Sequence, residues 1–211
     1  MFVNEIFSSI QGESSWQGFP FTFVRLGRCN LRCSYCDTSY AYSEGTEMDR
    51  GEIVSRVVKF GFPRVIITGG EPLLQEETTE LIEMLLREDF LVLLETNGSV
   101  PLANVHEKCV KIVDVKTPGS GAGGSFLEEN LRYLDGKDEI KFVLTGREDY
   151  SFALDFIMNH LNSFPGTVLL SPVSPGMNPA ELSQWILDEK LDCRINIQLH
   201  KYIFGMKERG V

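Results

Sequence analysis

From Phe21 onward, short β-branched and aromatic runs alternate with stretches whose apolar residues recur at helical spacing. The runs at residues 21–26, 64–68, 90–95, 111–116, 139–144, 167–171 and 193–198 predict strands. Between them, residues 49–60, 76–88, 101–107, 126–134, 149–161 and 179–189 predict helices, with Ile53, Val54, Val57 and Val58 forming one buried face. A repeated strand–helix unit forces parallel strands joined by right-handed crossovers. The predicted fold class is therefore α/β, an open sheet or an incomplete (β/α) barrel of parallel strands, since six helices are too few for a closed eight-fold barrel.

This topology makes a prediction about position, because ligands of parallel sheets gather at the carboxyl ends of the strands. The polar irregularities of the chain fall there. The first core strand is followed by Cys29-Asn30-Leu31-Arg32-Cys33-Ser34-Tyr35-Cys36-Asp37-Thr38, and the second ends in Thr68-Gly69-Gly70-Glu71-Pro72. The next two are followed by Glu95-Thr96-Asn97-Gly98 and Lys116-Thr117-Pro118-Gly119, and the sixth ends at Ser171-Pro172. Five strand ends thus converge on one mouth.

Length and composition narrow the setting. The 211 residues, 43% of them hydrophobic, are enough for one sizeable core, which predicts a single domain over residues 1–211. No run of apolar residues is long enough to span a bilayer, and Met1-Phe2-Val3-Asn4-Glu5 lacks the basic start and apolar run of a signal peptide. These features predict a cytoplasmic protein with no membrane partner. A formal net charge of −10 argues against broad binding to a phosphate backbone, so no nucleic-acid partner is expected.

Three of the five cysteines lie within eight residues, among Asn30, Arg32, Ser34 and Asp37 rather than apolar neighbours. A zinc knuckle would need a fourth Cys or His at short spacing, and a disulfide framework belongs to small secreted chains. A 4Fe–4S cluster fits better: thiolates normally hold all four irons, and three local cysteines would leave one iron open to a small molecule. Cys109 and Cys193 read as buried thiols.

The Cys-x3-Cys-x2-Cys loop followed by Gly69-Gly70-Glu71-Pro72 resembles the radical S-adenosylmethionine (SAM) enzymes along essentially the whole chain. The resemblance implies that Cys29, Cys33 and Cys36 ligate the cluster and that the open iron binds SAM, whose reductive cleavage yields a hydrogen-abstracting radical. It further implies that Tyr35, Asp37, Gly70, Glu71, Glu95, Asp114, Lys116 and Ser171 bind the cofactor. Glycines at 69 and 70 would let the backbone approach a ligand with no Cβ in the way. Glu95 could accept from ribose hydroxyls, as acidic residues do in other nucleotide sites.

A narrower resemblance rests on Phe7-Ser8-Ser9-Ile10-Gln11-Gly12-Glu13, Arg25, Cys36-Asp37-Thr38 and His200-Lys201-Tyr202, which together look like the 7-carboxy-7-deazaguanine synthase family. That family implies a radical SAM lyase that converts 6-carboxy-5,6,7,8-tetrahydropterin to 7-carboxy-7-deazaguanine with release of ammonia, in queuosine and 7-deazapurine biosynthesis. Ile10, Gln11, Gly12, Glu13, Arg25, Thr68, His200 and the terminal carboxylate of Val211 would contact the pterin. Arg25 would pair with the substrate carboxylate, a match of guanidinium fork to carboxylate. Thr38 would ligate Mg²⁺, a hard cation that prefers oxygen; a helix N-cap is the other reading of that threonine. A low-potential electron donor such as flavodoxin or ferredoxin is implied, and the short scaffold favours a homodimer. Two other readings stay open: a glycyl-radical-enzyme activase, which would need a protein-docking surface in place of Gln11, Arg25 and Thr38, and a non-catalytic iron–sulfur electron-transfer module.

Overall fold

Alternation along each strand decides which side chains meet the helices and which meet the ligand. The computed structural model describes residues 1–205, 207 and 209–211. Its strands are β1 (Phe2–Ile10), β2 (Pro20–Leu26), β3 (Thr46–Glu47), β4 (Arg64–Gly69), β5 (Leu91–Thr96), β6 (Val110–Asp114), β7 (Glu139–Leu144), β8 (Thr167–Pro172) and β9 (Arg194–Ile195). They form one sheet in the order β3-β1-β2-β4-β5-β6-β7-β8-β9. From β2 to β9 every pairing is parallel, while β1 lies antiparallel between β2 and β3. The two ends of the sheet do not pair, so the barrel is incomplete.

Helices α1 (Arg50–Phe60) and α2 (Thr78–Arg87) cover one half of the sheet, and α3 (Arg147–His160) and α4 (Pro179–Asp188) the other. The sequence sets the ends of α1 locally: the Asp49 side chain accepts from the Gly51 amide at 2.7 Å, and Gly61 closes the helix in the left-handed region at φ 74°. Val24, Val65, Ile67, Val92 and Leu94 meet α1 and α2, and Ile140, Phe142 and Leu170 meet α3 and α4.

Residues of the other parity line the concave face. Phe23, Ile66, Leu93 and Ile112 form a buried apolar floor there. Two residues further along their strands stand Arg25, Thr68, Glu95 and Asp114, joined by Lys141 on β7 and Ser171 on β8. A period of two thus stacks a polar layer on an apolar one at the carboxyl ends of parallel strands.

Several elements depart from the sequence pattern. The antiparallel hairpin of β1 with β2, and the short β3, extend the sheet beyond the predicted set. Residues 101–107 are not helical: the Leu102 amide donates to Asn130 Oδ1, and the Asn130 amide donates to the carbonyls of Gly98 and Val100, so this side chain replaces helical hydrogen bonding. Residues Glu128–Tyr133 form a 3-10 helix where an α-helix was expected. The last predicted strand shrinks to β9, and the chain then turns into a short helix, α5 (Leu199–Phe204). Among the described residues no helix is long and apolar enough to cross a membrane.

Candidate active site

The cysteine loop begins where β2 ends, and backbone contacts pin it to its neighbours. Gly70 donates its amide to Leu26 O at 3.0 Å, and Glu71 to Arg28 O at 2.9 Å. A Cβ built on Gly69 would stand 2.1 Å from Leu26 O, and one on Gly70 2.0 Å from Arg28 O. The glycine pair therefore makes room first for the chain's own cysteine loop, where the sequence pointed to a ligand; Gly69 also takes φ 137°, which side chains rarely adopt. Further along, Asn30 donates to Ser99 Oγ at 2.8 Å, and Ser34 reaches Ser120 O and Gly119 O, both at 2.9 Å. The loop is thus fastened to the segments after β4, β5 and β6.

Cys29, Cys33 and Cys36 face a cavity of about 680 Å³. Burial raises the thiol pKa values of Cys29 and Cys33. Among the described residues no three His, Cys, Asp or Glu side chains converge on a point where one metal ion could sit. Three thiols on one loop that face a common cavity suit a group with several metal corners.

Every sequence-predicted site residue lines this cavity except Glu71. Glu71 is fully buried, accepting from Leu73 N, Thr96 Oγ1 and Asn97 N at 3.0, 2.8 and 2.6 Å. Its carboxylate ties the end of β5 to the turn after β4, so it acts on the site through Thr96 and Asn97, which do line the cavity.

Tyr35, Asp37 and Thr38 line the cavity from the cysteine loop, with Gly70, Glu95, Asp114, Lys116 and Ser171 on or beside the strand ends. Lys116 Nζ pairs with Asp114 Oδ2 at 2.9 Å. Burial would raise the Asp114 pKa, but Lys116 and Lys141 outweigh it and hold the group ionised, below the usual carboxylate value. Asp114 Oδ1 is buried without a hydrogen-bond partner among the described residues. An ionised, orphaned acceptor in a cavity wall is a place for a ligand donor. Tyr35 likewise carries a buried, unpartnered hydroxyl.

Ile10, Gln11, Gly12, Glu13, Arg25, Thr68, His200 and Val211 line the same cavity. Arg25 does not face solvent: Nε donates to Glu5 Oε1 at 2.8 Å, and Tyr40 donates to the same oxygen at 2.9 Å. No other ion pair takes the Arg25 terminal nitrogens among the described residues, which leaves the fork for an anionic group. Gly12 packs under His200, whose Nδ1 would lie 2.0 Å from a Cβ there. Thr38 sits at the N-cap position of the 3-10 turn Ser39–Tyr42, yet its side chain caps nothing; Oγ1 donates to Asp37 Oδ1 at 3.0 Å.

The sequence reading missed Lys141, Gln198 and Lys201. Gln198 donates to Glu13 Oε1 at 2.8 Å and Asp37 Oδ2 at 3.1 Å, and Lys201 reaches Ser174 O at 2.9 Å and Asp37 Oδ2 at 3.5 Å. Parity gave a signal for Lys141, a lysine at a concave-face position of an apolar strand. Nothing local marked Gln198, and Lys201 entered only as part of the His200-Lys201-Tyr202 run, with no role of its own.

The arrangement defines a class: a partial parallel barrel with three thiols after its first core strand and a nucleotide-sized cavity above. The sequence signature of the Radical SAM superfamily matches residues 24–116. The 7-carboxy-7-deazaguanine synthase of Koribacter versatilis is 45% identical over 100% of this chain and 100% of its own length. That of Chlorobaculum tepidum is 40% identical over 99% and 96%. The crystal structure of QueE from Escherichia coli superposes with TM-score 0.78 over 94% of each chain at 21% identity, which speaks for the fold. The chain belongs to the 7-carboxy-7-deazaguanine synthase family of radical SAM enzymes.

Proposed function

We propose that this chain converts 6-carboxy-5,6,7,8-tetrahydropterin to 7-carboxy-7-deazaguanine with loss of ammonia. The observation that carries the reading is one cavity lined both by the three thiols and by Gln11, Glu13 and Arg25. The activase alternative wants a protein-docking surface where these residues line a small-molecule pocket.

Cys29, Cys33 and Cys36 would hold the 4Fe–4S cluster, and Gly70, Glu95, Asp114, Lys116 and Ser171 would hold SAM beside it. The donor sets fit: thiols for iron, and for SAM the orphaned Asp114 Oδ1 with the carboxylate of Glu95, whose two oxygens each accept one bond and keep further lone pairs. Together the bound groups supply hydrogen abstraction from substrate. The chain's own residues orient the substrate. Arg25, braced by Glu5, presents its fork to the pterin carboxylate, and Glu13 accepts from ring donors. Gln11, buried at the cavity edge, offers an amide that both donates and accepts.

Thr38 would give Mg²⁺ a neutral oxygen beside Asp37, leaving room for waters and substrate oxygens. The iron–sulfur ligands call for a reducing compartment, which supports a cytoplasmic setting and a donor such as flavodoxin or ferredoxin. Tyr202 and Ile203 project from α5 at 89% and 47% exposure, which supports a homodimer through that face, testable by light scattering.

The test is anaerobic incubation of cluster-reconstituted protein with the pterin, SAM, Mg²⁺ and reduced flavodoxin. The expected result is the deazapurine, identified by mass and absorbance. Cleavage of SAM with no deazapurine would overturn the substrate assignment.

A further inference from the structure

Lys141 is a cation buried on the concave face, with its side chain 5% exposed. Its ammonium lies 3.0 Å from Glu13 Oε2, 3.5 Å from Asp114 Oδ2, and closer still to Glu95 Oε1. An ammonium has three N–H donors. Each therefore has one carboxylate to serve, and the three carboxylates come from the loop after β1, from β5 and from β6. The strand register prepares the arrangement by setting Asp114 opposite Lys141.

The three acceptors do not depend on Lys141 equally. Asp114 has a second cation in Lys116. Glu13 and Glu95 have no other cation among the described residues; their remaining oxygens take neutral donors, Gln198 Nε2 at 2.8 Å and Thr68 Oγ1 at 3.1 Å. Burial works against the charge on Lys141, but Asp114, Glu13 and Glu95 outweigh it and hold its pKa well above the ordinary lysine value. Burial works to raise the Glu13 pKa, but Lys141 together with the Gln198 hydrogen bond outweighs it and the pKa is lowered.

A purely structural role would make Lys141 a clasp between chain segments. Those segments are already clasped. β5, β6 and β7 share backbone ladders, and the loop carrying Glu13 is fastened one and two residues later. Ser14 N donates to Asn196 Oδ1 at 2.8 Å, and Ser15 N to Glu139 Oε1 at 3.0 Å. What Lys141 adds is the direction of two carboxylate heads that both border the cavity. Each keeps lone pairs for donors arriving from the cavity.

We propose that Lys141 is a positioning residue whose single ammonium orients Glu13 toward the pterin and Glu95 toward SAM, so that capture of both molecules depends on one side chain. The inference rests on the functional reading above, which places the pterin at Glu13 and SAM at Glu95. Lysine suits the task because three donors radiate from one atom, whereas the flat guanidinium fork of arginine cannot meet three carboxylates set around a point.

Lys141→Arg tests this with the charge retained, and Lys141→Met removes the charge at similar length. In each cluster-reconstituted protein, equilibrium affinities for the pterin and for SAM are measured separately and anaerobically, together with iron content and Tm. For Lys141→Arg, wild-type iron content is expected with both affinities about tenfold weaker, which corresponds to ~1.4 kcal/mol each. Lys141→Met should weaken both further; should it fail to fold, the arginine variant decides alone. A folded Lys141→Arg with a lower Tm but unchanged affinities would make Lys141 a clasp only. Weakening of one ligand alone would overturn the shared role. Wild-type protein that binds SAM but not the pterin would overturn the functional reading and this inference with it, whereas wild-type binding of both with no change in Lys141→Arg overturns the inference alone.

Discussion

At Thr38 two chemistries compete for one hydroxyl. A capping threonine would spend Oγ1 on a backbone amide, but here Oγ1 donates to Asp37 Oδ1 and its lone pairs border the cavity. Thr38→Ala is therefore expected to cost no more than about 0.5 kcal/mol of stability, the ordinary range of an exposed substitution, where loss of a true cap costs about 1 kcal/mol. The same variant should raise the Mg²⁺ concentration for half-maximal turnover several-fold while cluster absorbance stays as in wild type. An unchanged Mg²⁺ titration would remove Thr38 from the cation site. Glu95 and Ser171 were legible in the sequence as cavity positions because each sits at a strand end, and Thr38 through the resemblance of Cys36-Asp37-Thr38. Strand parity marks Lys141 as facing inward but not what it meets: its partners Glu13 and Glu95 are 128 and 46 residues away, and only the curl of the sheet gathers them. Glu71 shows the reverse case: the resemblance made it a cofactor contact, whereas its oxygens accept from Leu73 N, Thr96 Oγ1 and Asn97 N away from the cavity.

The cysteine loop is the element on which the chemistry depends, and it sets its three thiols apart from the chain's other two. Cys29, Cys33 and Cys36 are half-buried along the cavity. Cys109 is fully buried and its pKa is pushed up to about 12 by burial, and Cys193, packed beneath α4, is pushed up to about 11 by the same cause. A metal takes the thiolate, so the last two are poor ligands as well as distant ones. Replacing Cys29, Cys33 or Cys36 by Ala should reduce iron after reconstitution and abolish SAM cleavage, while Cys109→Ala and Cys193→Ala should keep wild-type iron. Wild-type iron in the triple Cys29/Cys33/Cys36 variant would refute the assignment. Strands that carry this loop and its neighbours were readable because buried parallel strands are runs of Val, Ile, Leu and Phe. The hairpin strand β1 was not, because Asn4, Glu5, Ser8 and Ser9 interrupt it. Helix α5 was hidden for a different reason: none of its residues is buried, so no apolar stripe announces it.

At the scale of the whole molecule, the sheet must hold a substrate loop from its amino end against strands that close the site from the other side. Glu139, at the start of β7 and 1% exposed, does this by accepting from the amide and hydroxyl of Ser15 through Oε1. Its Oε2 is buried with no partner among the described residues. Burial raises the Glu139 pKa, against the lowering effect of the Ser15 hydrogen bonds. For a carboxyl whose folded pKa lies above its unfolded one, the protonated form is the one folding prefers. The stability it contributes is present below the unfolded value and is lost as pH rises through the folded value. Glu139→Gln keeps an oxygen for Ser15 and cannot ionise, so it escapes that loss. Its Tm should exceed the wild-type value at pH 8, with each 1 kcal/mol of difference appearing as about 2–4 °C for a chain of this size. The gain should shrink as pH falls into the ordinary glutamate range, where both proteins are neutral at this position. Repulsion among the other acidic groups, which give the chain its net charge of −10, also grows with pH but acts on both proteins and leaves the difference unchanged. Thermal melts across pH 4–8 read this directly. A Tm difference that does not vary with pH would mean that Glu139 folds as readily ionised as neutral, and would assign its role to the Ser15 hydrogen bonds alone.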